Sequence, residues 1–504
     1  MNTPQNWKGK SLVSTGTTQV FNGPTQTNPS RVIATIPLTA SSIIGIADTG
    51  ITRQNCYFCS SSAGPSCHNR AATSDSSRNI FMYWFIGPDQ CAQCGRCGNV
   101  AAGTSAAQGC GNDFDENGHG THVASTIVGS SDQTTSPDSV RNNGIAGAAG
   151  NPTATSAGAK LFFQDVLNNS SDAECLAAGL KSGCGDSLSI PTALENLFLD
   201  PYMAGVRVHC NSWGCLRSAN RSGGSADACN TYNSQARDID AFNTEGSARS
   251  RQDFLVVLAA GNDGLMSLDA SVASPSTCKN CLVVGASESN AEQLAADAVY
   301  VDPNIFCTQN MQPRPCCSGL ATGRCNMNDC CDAAAAASLC YACCNIACRT
   351  ADSPSSQNLA AFSSRGPTSD GRFKPDVVAP GTSVLSANTL FPGYPLSSNY
   401  TGPYCETNPS AVNFAATQAL QLRHGSSSAA ALVAGFAEYV RQYFLQVLNE
   451  RLTTTIFQSE NILYSRQQGF YPTGAAVGSD SFTVVPEALL RAVIIAGARQ
   501  LTGV

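Results

Sequence analysis

No stretch of this 504-residue chain approaches the roughly 18 uninterrupted apolar residues that a membrane-spanning helix needs. Its opening, MNTPQNWKGKSLVSTG, has no apolar core of the signal-peptide kind. Charge is sparse. Only 13% of residues are charged, the formal net charge is −7, and no basic block interrupts the chain, so nucleic acid is not an expected partner. With 42% apolar residues, the composition is that of a folded chain without a transmembrane segment. The length suits one large α/β enzyme with insertions as well as two or three separate domains.

Cysteine is what the chain has in excess. Its 25 cysteines favour an oxidising compartment, and the odd count leaves at least one thiol without a partner inside the chain. Abundant cysteine beside a missing export signal conflicts, unless this chain is a segment of a larger or processed precursor. The expected location is therefore extracellular or secretory/vesicular.

Short β-branched or aromatic runs read as buried strands: SIIGIAD, KLFFQDV, VRVHCNSW, DFLVVLAAGN and CLVVGAS. Helical patterns stand among them in HGTHVASTIVG, IPTALENLFLDPYMAGV and PEALLRAVIIAGA. A further helix follows HGSSS, with Leu432, Phe436, Tyr439, Val440, Tyr443, Phe444 and Val447 at steps of three and four. Its first turns carry Ala429, Ala430, Ala431, Ala434 and Gly435, small enough to pass close to other backbone. Alternating strands and helices predict a mostly parallel sheet covered on both faces. Residues 52–112 and 289–358 read as loop-rich insertions held by cross-links. The second contains ten cysteines, with adjacent pairs at 316/317, 330/331 and 343/344. Residues 1–40 read as an extension or linker, and 41–504 as the main domain.

Polar residues collect at strand ends, where open α/β sheets build their sites. Asp48 follows SIIGIA, and Asn262 ends DFLVVLAAGN. His119 lies between two glycines at the head of a small-residue helix, and Ser427 heads another. Each has an ordinary explanation alone, as a turn residue or a cap. His119 and His122 also have a metal-like i, i+3 spacing, but without an HExxH glutamate or a clear third ligand. One histidine as base and the other as a buried structural residue is the better division. Together the four residues supply an orienting acid, a base, an oxyanion donor and a nucleophile, the parts needed for acyl transfer.

DTG, NGHGTHVA, NSWG, AAGNDG, FSSRGPTSDGRFKPDVVAPG and GSSSAAALVAG, spread from about residue 43 to 449, resemble in order and character the motifs of subtilisin-like serine peptidases, the subtilases. GAKLFFQDV and SVASPSTCKNCLVVGAS are most similar to the oxidatively stable alkaline proteinase subgroup. The resemblance implies a subtilisin-like three-layer fold and a serine endopeptidase acting on proteins or peptides through an acyl-enzyme. In it Asp48 orients the imidazole, His119 is base and then acid, and Ser427 attacks the carbonyl. Asn262 and the Ser427 N–H would bind the oxyanion. Ser212, Trp213 and Gly214 would pair with the substrate backbone, while Ala259, Ala260 and Gly261 form the opposite wall of the specificity pocket. No cofactor is required for this chemistry, and a structural calcium is a family expectation for which no ligand set can be named.

The chain departs from the family pattern around its nucleophile. Ser426 stands for the usual threonine, Ser428 for methionine and Ala431 for proline, and the two flanking serines are expected to be replaceable. CYFC at 56–59, CAQCGRC at 91–97 and CKNC at 278–281 have spacings compatible with zinc, although disulfides are the favoured reading. The competing function is a catalytically silent scaffold whose cysteine-rich insert binds a partner or zinc.

Overall fold

A computed structural model describes residues 10–11, 38, 42–52, 58, 80–85, 115, 117–129, 159–167, 188, 190–215, 229–244, 251–264, 270–288, 358–382, 384–388, 420–448 and 485–501. Most of both cysteine-rich insertions and of the N-terminal extension lies outside these residues.

The strands are β1 (Lys10–Ser11), β2 (Ile43–Asp48), β3 (Ile80–Phe85), β4 (Lys160–Asp165), β5 (Val208–Asn211), β6 (Leu255–Ala259), β7 (Leu282–Ser287), β8 (Val377–Pro380), β9 (Val384–Ala387), β10 (Leu420–Arg423) and β11 (Arg499–Gln500). The helices are α1 (His119–Val128), α2 (Glu195–Met203), α3 (Ser234–Thr244), α4 (Ser426–Gln442), which runs into a π-helical turn at Tyr443–Leu448, and α5 (Glu487–Gly497).

Nine strands form one sheet in the order β11-β1-β8-β7-β6-β5-β2-β4-β3, and β9 pairs with β10 in a separate ribbon. Every pairing in the large sheet is parallel except that of β1 with β11 at the edge. From β2 the chain runs out to β3 at the sheet edge, comes back to β4 between β3 and β2, and then crosses to β5 on the other side of β2. That reversal opens a crevice beyond the carboxyl ends of β2 and β5, where α/β sheets bind their ligands.

Both faces of the sheet are apolar, as parallel strands require. Ile44, Ile46, Leu161, Val257 and Val284 pack on one side with Val123 and Ile127 of α1, Ala429–Ala431 and Ala434 of α4, and Leu490 of α5. Ile43, Phe162, Val256 and Val283 pack on the other with Leu197 and Phe198 of α2 and Ile239 and Phe242 of α3. The result is the expected α/β fold with helices on both faces. Full burial of a side chain such as Phe198 or Ile44 contributes about 1.5–3 kcal/mol. The alanines let α4 lie against β5 to β8 along the middle of the sheet, so its first turn emerges at the crevice.

Two short strands differ from the sequence expectation. Ile80–Phe85, within the insertion read as loop-rich, forms β3 at the sheet edge beside β4. Its run IFMYWF has no alternation to reveal a strand in a cysteine-rich setting. Lys10–Ser11, within the segment read as linker, pairs with both β8 and β11.

Candidate active site

Asp48 is the last residue of β2 and His119 the first of α1. Oδ1 of Asp48 accepts the N–H of Thr49 at 2.8 Å and lies 2.7 Å from Nδ1 of His119. A carboxylate accepts, so Nδ1 carries the proton and Nε2 is left as the basic nitrogen. Burial opposes the imidazolium form of His119, but the charge and hydrogen bond of Asp48, aided by Asp115, outweigh it. The ring therefore titrates above its ordinary 6.5, while Arg423 pulls the other way. Oδ2 of Asp48 is buried without a hydrogen-bond partner among the described residues.

The junction between these two residues is built by Asp115, which the sequence reading did not single out. Its Oδ1 accepts from Gly118 N at 2.7 Å and from Thr49 Oγ1 at 3.0 Å, and its Oδ2 accepts from Thr121 N at 2.7 Å. Thr49 Oγ1 in turn accepts from Gly120 N at 2.9 Å. The loop behind Asp48 is thus fastened to the first turn of α1, where free N–H groups need acceptors. Gly118 enters the helix at φ 81°, a left-handed conformation that favours glycine. Burial pushes the Asp115 carboxyl up to about 6 despite its hydrogen bonds from Thr121 and Gly118. The available signal was an aspartate four residues before His119 in DENGHG.

His122, one turn on, is buried, and its Nε2–H donates to the carbonyl of Val384 at 2.9 Å. It joins α1 to β9, which is the structural role expected of the second histidine. Among the described residues no group of three or more His, Cys, Asp and Glu side chains forms a metal site. Cys278 and Cys281 of CKNC are joined as a disulfide, as are Cys215 and Cys229. CYFC and CAQCGRC lie outside the described cysteines.

Ser427 is the second residue of α4 and is 8% exposed. Its backbone N–H belongs to the helix N-terminus, where the dipole favours negative charge. Asn262, beyond the end of β6, faces it. Oδ1 of Asn262 accepts from Ser426 N at 2.8 Å and from Ser426 Oγ at 3.0 Å, and Ser426 Oγ accepts from Gly261 N at 3.1 Å. A Cβ built on Gly425 would lie 3.4 Å from Nδ2 of Asn262, 3.7 Å from Ser427 N and 3.8 Å from Ser427 Oγ. One small space therefore has two N–H donors and a hydroxyl around it. Ser426, expected to be replaceable, is an integral part of this corner.

The expected substrate walls adjoin it. Ser212 Oγ donates to Ser427 O at 3.4 Å, and Trp213 packs against the α2–α3 side of the core. Gly214 lies against the carbonyl of Ser274, which accepts the N–H of Cys215 at 2.8 Å. At the end of the neighbouring strand β6, Ala259 O accepts from Ser276 Oγ at 2.6 Å, Ala260 N donates to Val284 O at 2.8 Å, and Gly261 O accepts from Ser364 N at 3.0 Å.

A family model described as the subtilase family matches residues 39–474. The chain belongs to the subtilase family. This subtilase is 28% identical over 420 residues to the serine protease/ABC transporter B family protein tagA of Dictyostelium discoideum, a match covering 80% of this chain and 19% of that protein. With tagD of the same organism it shares 26% identity over 478 residues, covering 92% of this chain and 20% of that one. The subtilase thus spans about a fifth of the length of these curated relatives. Among solved structures, it is similar to the CspB protease of Clostridium perfringens at 12% identity and a TM-score of 0.43, with 95% of this chain and 99% of that chain covered. Sphericase is similar at 19% identity and a TM-score of 0.38, with 86% and 85% covered.

Proposed function

We propose that this subtilase is a serine endopeptidase that cleaves proteins or peptides through Asp48, His119 and Ser427. The observation that carries the reading is the space at Gly425, bounded by Asn262 Nδ2, Ser427 N and Ser427 Oγ. It has the composition required of a nucleophile beside an oxyanion site.

In the reaction, Nε2 of His119 takes the Ser427 proton as Oγ forms a bond to the substrate carbonyl carbon. The carbonyl π electrons move onto oxygen, and Asn262 Nδ2–H and Ser427 N–H stabilise that charge. Collapse expels the amine, which receives the proton from His119, and leaves an acyl-enzyme. Water, deprotonated by the same imidazole, adds to the ester carbonyl, and collapse breaks the acyl–Oγ bond as the imidazolium returns its proton to Ser427 Oγ, releasing the acid. Because only neutral imidazole can accept the proton, turnover rises with pH through the elevated His119 titration.

Ser212–Gly214 bind the substrate backbone as an added strand, which takes affinity from main-chain hydrogen bonds and tolerates many side chains. The cysteine content supports work in an extracellular or secretory compartment, and the greater length of the curated relatives suits a chain that is part of a larger precursor. The likeness of GAKLFFQDV and SVASPSTCKNCLVVGAS to the oxidatively stable alkaline subgroup belongs to the same proposal. The test is hydrolysis of an unfolded protein substrate by oxidised, purified chain. Turnover lost in Ser427→Ala and retained in Ser428→Ala supports the assignment, whereas no turnover by the wild type favours a silent scaffold.

A further inference from the structure

The base and the nucleophile stand on different elements, and one side chain ties the segments that lead to them. Nη2 of Arg423 donates to the carbonyl of Asn117 at 3.0 Å, and Asn117 Oδ1 accepts the N–H of His119 at 3.3 Å. Arg423 is the last residue of β10, with His424 and Gly425 between it and α4. In the ribbon it sits opposite Val384, the residue whose carbonyl receives His122. The approach to Ser427 is therefore attached to the His119 end of the molecule twice, through β9 and through the guanidinium.

The charge of Arg423 also bears on the site. Burial holds the Arg423 guanidinium below its ordinary range against the opposing pull of Asp115 and Asp48, and Arg423 acts on the His119 ring in the opposite sense to those carboxylates. Of the other elements packed on α1, β4 brings Lys160 at its start, in register with Ile43, and Asp165 at its end, in register with Asp48. β9 and the first turns of α4 carry none, and on β4 Asp165 is engaged by the N–H of Leu167 at 2.9 Å. His424 is the neighbouring titratable group on the same loop.

We infer that Arg423 is a positioning residue of the peptidase site. It clasps the strand leading to Ser427 onto the loop leading to His119 and supplies the positive counter-charge to Asp48 and Asp115. The inference rests on the hydrolytic reading above. A neutral isostere at position 423 removes a cation that disfavours the imidazolium, so His119 must then titrate higher.

The test combines kcat/KM against pH for Arg423→Gln and Arg423→Lys with an NMR titration of the His119 ring in a Ser427→Ala background. His424→Gln serves as the control for the adjacent histidine. Arg423→Gln is expected to move the acid limb and the ring titration upward together by about 0.5 to 1 pH unit. It should also lower kcat by about tenfold, the effect of losing one charge-assisted hydrogen bond at the site. Arg423→Lys, which keeps the charge, should return the limb toward the wild type. A limb and ring titration unchanged in Arg423→Gln, or displaced equally in Arg423→Lys, would overturn the inference. If the ring titration shifts as expected but the wild type hydrolyses nothing, the hydrolytic reading fails while the placement of the charge stands.

Discussion

Oδ1 of Asn262 accepts two hydrogen bonds from one residue, the N–H and the hydroxyl of Ser426. The hydroxyl spends its one proton on that contact and takes the N–H of Gly261 on its lone pair. The amide oxygen is thereby fixed, and Nδ2 is turned toward Gly425. Ser426→Ala removes one of the two restraints, at a cost of about 0.5–1.5 kcal/mol. The expected outcome is a fall in kcat of roughly two- to tenfold with little change in KM, and recovery in Ser426→Thr. An unchanged kcat would show that Asn262 is oriented by something else.

Gly425 offers a sharper probe of the same space. The contacts of an added methyl with Asn262 Nδ2 and Ser427 Oγ are at ordinary van der Waals distances, so Gly425→Ala should fold. On the proposed mechanism the methyl would crowd Asn262 Nδ2 and Ser427 N, the two donors assigned to the oxyanion. Loss of an oxyanion donor costs about 10² to 10³ in turnover, a magnitude taken from subtilisin itself, and a blocked site should lose at least as much. Steady-state kinetics beside a thermal unfolding curve separates obstruction from misfolding.

Much of this site was legible because its residues sit where periodic patterns stop. Asp48 and Asn262 follow apolar strands, and His119 and Ser427 open helices of small residues, so local pattern and position agree. Asp115, Arg423 and the bridging role of Ser426 were not legible. Arg423 and Ser426 act through partners distant in sequence, Asn117 and Asn262, and Asp115 joins its local contacts at the start of α1 to the distant Thr49. Likewise, a two-residue strand such as Lys10–Ser11 has no period of its own and exists through its pairing with β8 and β11.

His209 should make the fold acid-sensitive. It is buried between the rings of Phe198 and Phe254, and its Nε2 lies 2.8 Å from Gln164 Oε1. Burial pushes its titration down to about 3, against an ordinary 6.5. Above 6.5 the ring is neutral in both folded and unfolded chains, and stability is intact. As pH falls from 6.5 toward 3, only the unfolded chain takes up the proton, so stability drops by about 1.4 kcal/mol per pH unit. Asp115, raised to about 6, works the other way between 3.8 and 6 because there the folded state holds the extra proton. Denaturant unfolding of Ser427→Ala and of Ser427→Ala with His209→Gln, at pH 7 and pH 4.5, isolates the histidine. The pH-dependent loss should be smaller in the His209→Gln protein.

The disulfide Cys215–Cys229 should matter for binding more than for chemistry. Cys215 directly follows the Ser212–Gly214 wall and is exposed, and its N–H donates to Ser274 O at 2.8 Å. Ser274 N donates to Cys229 O at 2.6 Å, so the bridge and the Ser274 backbone together fasten the end of the Ser212–Gly214 segment. Replacing both cysteines by serine should raise KM several-fold while kcat stays near the wild-type value. A selective loss of kcat would place the bridge in the catalytic corner instead.

The most direct measurement is reaction with a phosphonofluoridate followed by peptide mapping. The label should appear on Ser427 alone, form faster as pH rises through the His119 titration, and vanish in both Ser427→Ala and His119→Ala. A label on Ser426 or Ser428, or no label on correctly oxidised protein, would contradict the assignment of Ser427 as the nucleophile of this subtilase.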